Sequence, residues 1–74
     1  MNELKNISHR IAIGQRIAEI RKSKGLSLRQ LSEICGVTYQ NITKIENGRY
    51  NVSIDILGKV CAALGCEIKI EERI

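Results

Sequence analysis

The sequence predicts a mainly α-helical domain, a small bundle of four to five helices followed by one C-terminal β-strand. Three observations lead there. Apolar residues recur at helical spacing in four stretches, each opened by a hydroxyl-bearing cap or closed by a glycine. Hydrophobic residues make up 43% of the chain but aromatic ones only 3%, with no proline, so isoleucine and leucine must build an aliphatic core. After Gly65 the apolar spacing changes from helical to strict alternation.

Residues 1–8, MNELKNIS, are polar apart from Leu4 and Ile7 and read as an N-terminal arm or an extra helical turn. From His9 onward, Ile13, Ile17 and Ile20 mark one buried stripe, and Lys22, Lys24 and Gly25 supply a cationic last turn and a stop. That places the first helix at residues 9–23. Ser27 caps a second helix over 28–35, buried through Leu28 or Leu31 and then Ile34, and Gly36 takes the left-handed conformation that ends it. Val37 plugs the turn. Thr38 caps a third helix over 39–46, buried through Ile42 and Ile45 and closed by Asn47 and Gly48. Past a loop at 49–52, Ser53 caps a fourth helix whose stripe is Ile54, Leu57, Val60, Cys61 and Leu64. The helical domain thus spans 9–65, and its two tightly joined helices occupy 27–46.

Residues 66–74 follow as a half-buried strand, with Cys66, Ile68 and Ile70 on one face and Glu67, Lys69 and Glu71 on the other. A lone strand is unstable in water and leaves hydrogen-bonding groups open, so it needs a partner. Antiparallel pairing with a second copy about a two-fold axis supplies one, and makes Cys66, Ile68 and Ile70 the expected dimer interface. The alternative is a tail folded back on the Leu4 to Ile7 segment. A chain of 74 residues buries only about 60% of the surface its unfolded form exposes, so association would also supplement a marginal core.

Charge is unevenly placed. Residues 1–50 carry nine Lys or Arg against four Glu, whereas residues 51–74 carry three against four acidic groups. The basic front part points to a polyanionic partner and the slightly acidic tail to self-association. On the third helix, Ile42 and Ile45 define the inward side, so Gln40, Thr43, Lys44 and Asn47 face out, with Tyr39 at the leading edge. Those side chains match what the DNA major groove presents: glutamine pairs with adenine, lysine reaches guanine, and a threonine methyl meets a thymine methyl.

Gly25-Leu26-Ser27, Leu31, Gly36-Val37-Thr38, Ile42, Ile45-Glu46-Asn47-Gly48, Leu57 and Ala63-Leu64-Gly65 together resemble the phage-repressor and Cro type of helix-turn-helix, the XRE family, over residues 13–65. The resemblance implies a lambda-repressor-like bundle whose third helix enters the major groove. It implies base contacts from Tyr39, Gln40, Thr43 and Lys44, and backbone contacts from Asn41, Asn47, Gly48 and Arg49, with Lys44 also near phosphate. It further implies an internal salt bridge between Arg21 and Glu46. One departure is plain: many relatives carry glutamine just after the second helix's cap, where this chain has Leu28. Contact from that helix must then come from Arg29 or the helix's own N-terminal amides.

The expected function is that of a sequence-specific double-stranded DNA-binding regulator, a repressor acting as a homodimer on a pseudo-palindromic operator. The alternative is an antitoxin-type module that binds a toxin partner and its own operator. An enzyme fares badly: with one His, one Asp and no phosphate loop, no catalytic group can be assigned, and no cofactor is implied. His9 reads as a surface residue. Cys35, Cys61 and Cys66 lack metal-ligand spacing and read as small hydrophobes, so no metal is expected. No apolar run approaches the ~18 residues that span a bilayer, so no membrane partner and a cytoplasmic location are expected. No second domain is expected to bind a small effector.

Overall fold

The structure, a computed structural model, describes residues 2–73, with side chains from residue 8 onward. Four helices follow in order: α1 (Asn2–Ser23), α2 (Leu28–Cys35), α3 (Tyr39–Glu46) and α4 (Ile54–Ala63). The first begins at Asn2, not near His9, so the extra-turn alternative holds for the backbone of residues 2–8. The side chains of Leu4 and Ile7 lie outside the described residues.

α1 packs on α3, and α2 packs on both α3 and α4. Leu31, Ile42, Val60 and Leu64 are fully buried between them, joined by Ile17, Val37, Ile45, Leu57 and Cys61. The buried line of α1 runs through Gly14, Ile17 and Arg21, spaced i, i+3, i+7, and not through Ile13 and Ile20 as expected. Ile13 is 43% exposed and Ile20 half-buried. The helix is rotated toward its glycine because α3 approaches closest there. A methyl group on Gly14 would overlap the Ile45 carbonyl oxygen and lie 2.8 Å from that of Glu46.

α2 opens on a full capping box. Gln30 N–H donates to Ser27 Oγ at 3.0 Å, and Ser27 N–H donates to Gln30 Oε1 at 2.8 Å. At its other end Gly36 adopts φ 76° and its N–H donates to Ser32 O at 2.9 Å. A side chain there would be strained, which is why glycine marks this turn. Ser32 Oγ then donates to Val37 O at 2.6 Å, tying the turn to the helix it leaves, and Val37 is buried as expected.

Two expected core positions are exposed. Ile34 is 58% exposed, because the buried side of α2 is centred between Leu31, Leu28 and Cys35, about 90° around the helix from it. Ile54 is 76% exposed because it is the first residue of α4, one turn before Leu57 reaches the core.

The expected C-terminal strand does not form. Among the described residues no strand is present, and residues 66–73 run without regular structure. Alternation placed Cys66, Ile68 and Ile70 on one covered face. Instead Cys66 packs against the core, Ile68 is 44% exposed and Ile70 is 95% exposed. Among the described residues no segment pairs with 66–73 to complete a hydrogen-bond ladder, and alternation alone does not make a strand.

Candidate nucleic-acid interface

Apart from Arg29 on α2, the side chains expected to face DNA belong to α3 and the residues after it, and three features orient that unit. Thr38 caps α3, accepting the Asn41 N–H at 3.3 Å. Ile42 and Ile45 bury its inner side. At its far end Arg49 N–H donates to Lys44 O at 2.9 Å and Gly48 N–H to Ile45 O at 3.1 Å, which folds Gly48 and Arg49 back beside the helix end. Tyr39, Gln40, Lys44, Asn47 and Arg49 are exposed, while Asn41, Thr43 and Gly48 are half-buried.

Two of the expected contacts carry internal obligations. Thr43 Oγ1 donates to Tyr39 O at 2.8 Å, so its proton is used within the helix and its methyl is the group left for a base. Arg29, on α2, lies over the Tyr39 ring with 5.1 Å between guanidinium carbon and ring centroid. That stacking joins the front of α3 to α2 and leaves the guanidinium edges able to donate. Leu28, which departs from the family pattern, is half-buried against the core and so is unavailable to phosphate.

Arg21 and Glu46 meet as the resemblance implies. Arg21 Nε donates to Glu46 Oε2 at 2.6 Å and its Nη2 to Oε1 at 3.0 Å, while Nη1 donates to the Leu26 carbonyl at 2.8 Å. One guanidinium therefore ties the end of α1, the α1–α2 turn and the end of α3. The hydrogen bond to Glu46 raises the Arg21 pKa, desolvation opposes this, and the Glu46 charge adds to the rise. Stability from this pair is therefore present below the ordinary guanidinium range and lost only as pH rises through the still higher folded value.

Among the described residues no group of three or more His, Cys, Asp or Glu converges as a metal site, and His9 is exposed. No described helix is long and apolar enough to cross a membrane. Three contributors escaped the sequence reading: Gly14, Gln30 and Ser32. The spacing Ser27-x-x-Gln30 carried a capping-box signal, and a glycine inside an otherwise regular helix signalled a close approach.

The helix-turn-helix family model HTH_3 matches residues 17–70. The transcriptional regulator SinR of Bacillus subtilis is 46% identical over 57 residues, 76% of this chain and 51% of its own length. The immunity repressor protein of Bacillus phage phi105 is 38% identical over 58 residues, 78% of this chain and 40% of its own length. This chain thus spans about half, or less, of these two relatives. In three dimensions it is similar to the restriction-modification controller protein C.AhdI of Aeromonas hydrophila, with a TM-score of 0.78 and 33% identity over 81% of this chain and 91% of that one. With the turn at Gly36, the capped α3 and the Arg21–Glu46 tie all in the matched region, the chain belongs to the HTH_3 helix-turn-helix family.

Proposed function

We propose that this chain is a sequence-specific double-stranded DNA-binding transcriptional regulator, a cytoplasmic repressor that occupies a pseudo-palindromic operator as a homodimer. The observation that carries the reading is the outer face of α3. Its exposed side chains, Tyr39, Gln40 and Lys44, are all hydrogen-bonding groups, and its one carboxylate, Glu46, is neutralised by Arg21. Phosphate therefore meets no free negative charge on that helix. Tyr39, Gln40, Thr43 and Lys44 read base edges, and Arg29, Asn41, Asn47, Gly48 and Arg49 hold the backbone.

Exposed Ile13, Ile54, Ile68 and Ile70 support the dimer, since a domain this small gains from covering them with a second copy. The interface is centred on Ile68 and Ile70, with the half-buried Cys66 at its edge. Two copies of α3 then meet successive major grooves about 34 Å apart.

Gln40→Ala is expected to lose discrimination at one or two base pairs, by about 1–3 kcal/mol. Arg49→Ala should weaken all sequences alike and reduce the salt slope by about 1. Binding titrations on cognate and random duplexes at several salt concentrations distinguish the two, and equal losses on both duplexes for Gln40→Ala contradict its role.

A further inference from the structure

Cys61 and Cys66 lie side by side because of the way α4 ends. Gly65, at φ 71°, turns the chain left-handed, with Gly65 N–H donating to Ala62 O at 3.1 Å and Cys66 N–H to Cys61 O at 2.9 Å. This closure folds Cys66 back onto the residue five before it and brings their side chains together. The bond from the Cys66 N–H to the Cys61 carbonyl holds the two backbones in direct contact, as a disulfide, with Cα atoms about 4.4–6.8 Å apart, requires. Both cysteines are free thiols, Cys61 buried and Cys66 half-buried. They line one groove with Ile13, Ile17, Ile20 and Ile68. Burial first, and then the contact with the Cys66 side chain, pushes the Cys61 thiol up to about 11.

We propose that Cys61 and Cys66 form a dithiol site that a small-molecule disulfide oxidises reversibly to an intramolecular disulfide, stapling the start of the 66–73 segment to the last turn of α4. Cys66 is the entry thiol because it is the accessible one. Its thiolate attacks one sulfur of the small disulfide; a mixed disulfide forms, the original S–S bond breaks, and one small thiolate leaves. Cys61 then gives its proton to solvent, and its thiolate attacks Cys66 Sγ and expels the second small thiolate. The protein gives up two electrons and two protons, and the small disulfide becomes two thiols. Its raised pKa keeps Cys61 a poor entry point, which sets the order of the two attacks. Cys35, at the end of α2, does not line this groove and stays a thiol.

The test exposes the intact chain to oxidised glutathione, blocks remaining thiols by alkylation, and maps tryptic peptides by mass. Residues 60–69 form one peptide holding both cysteines between the Lys59 and Lys69 cleavage points. The expected result is that this peptide loses two hydrogens and takes up no alkylating agent, while Cys35 is fully alkylated. Dithiothreitol should restore all three thiols. Cys35→Ser should oxidise as the wild type does, and Cys66→Ser should leave Cys61 unreacted. Cys61→Ala should stop at a glutathione adduct on Cys66. A persistent wild-type adduct on Cys66, a link to Cys35, a Cys66 cross-link between chains, or three unreacted thiols would overturn the proposal.

Discussion

Glu46→Ala is expected to destabilise the domain by about 3–5 kcal/mol, the usual cost of removing one partner from a buried ion pair. Arg21 would then sit buried with its charge uncompensated, since only the Leu26 carbonyl remains to accept from it. A guanidinium keeps its proton at any ordinary pH, so the charge cannot be relieved by deprotonation. A chain of this length is stable by roughly 4–11 kcal/mol in all, so most of the margin is at stake. Urea unfolding followed by circular dichroism measures the loss. Two comparisons identify its cause. Arg21→Met with Glu46→Leu should recover much of the stability, because apolar replacement of both partners removes the buried charge. Glu19→Ala should leave the midpoint unchanged, because the Arg16–Glu19 pair at 3.1 Å is exposed on both sides.

Gly14→Ala carries the second large effect, and its sign is opposite to the ordinary one. Alanine normally stabilises a helix interior relative to glycine by about 0.5–1 kcal/mol. Here the added methyl meets the Ile45 and Glu46 carbonyl oxygens, which are backbone atoms of α3 and cannot rotate away. Relief requires α1 and α3 to separate, and overpacking of this kind costs about 1–3 kcal/mol or somewhat more. The shifted element is α3, the helix proposed to enter the major groove, so DNA affinity should fall even where the variant stays folded. Gly58→Ala in α4 is the matched control. Nothing lies within 4 Å of a methyl there, so the same substitution should raise the unfolding midpoint. Two shifts of the same sign would show that the α1–α3 crossing is looser than described.

Seven of the eight helix limits were legible because they are written locally, with a Ser or Thr cap at 27, 38 and 53 and a glycine at 25, 36, 48 and 65, whereas the start of α1 at Asn2 carries no such signal. The positions that failed depend on neighbours that no periodicity records. Ile13 was preferred to Gly14 because a glycine adds nothing to an apolar stripe, yet an interface can be closest where a side chain is missing. Arg21 likewise interrupts an apolar pattern, and only its partner 25 residues away makes its burial tolerable. The 66–71 alternation read as a strand because spacing was the only signal, whereas a strand is defined by pairing. The outward face of α3 came through well, since two buried isoleucines suffice to orient an eight-residue helix. The Thr43 hydroxyl bond and the Arg29–Tyr39 stack did not, because each depends on a side-chain conformation.

Selection of bound duplexes from a random-sequence DNA pool, with the purified chain at physiological salt, tests the central claim most directly. It examines binding, sequence preference and the pairing of two copies in one experiment. The reading predicts enrichment of a pseudo-palindrome with half-site centres about 10–10.5 base pairs apart, as two recognition helices in successive major grooves require. Recovery of duplexes with no shared sequence, or of none above background, would contradict it.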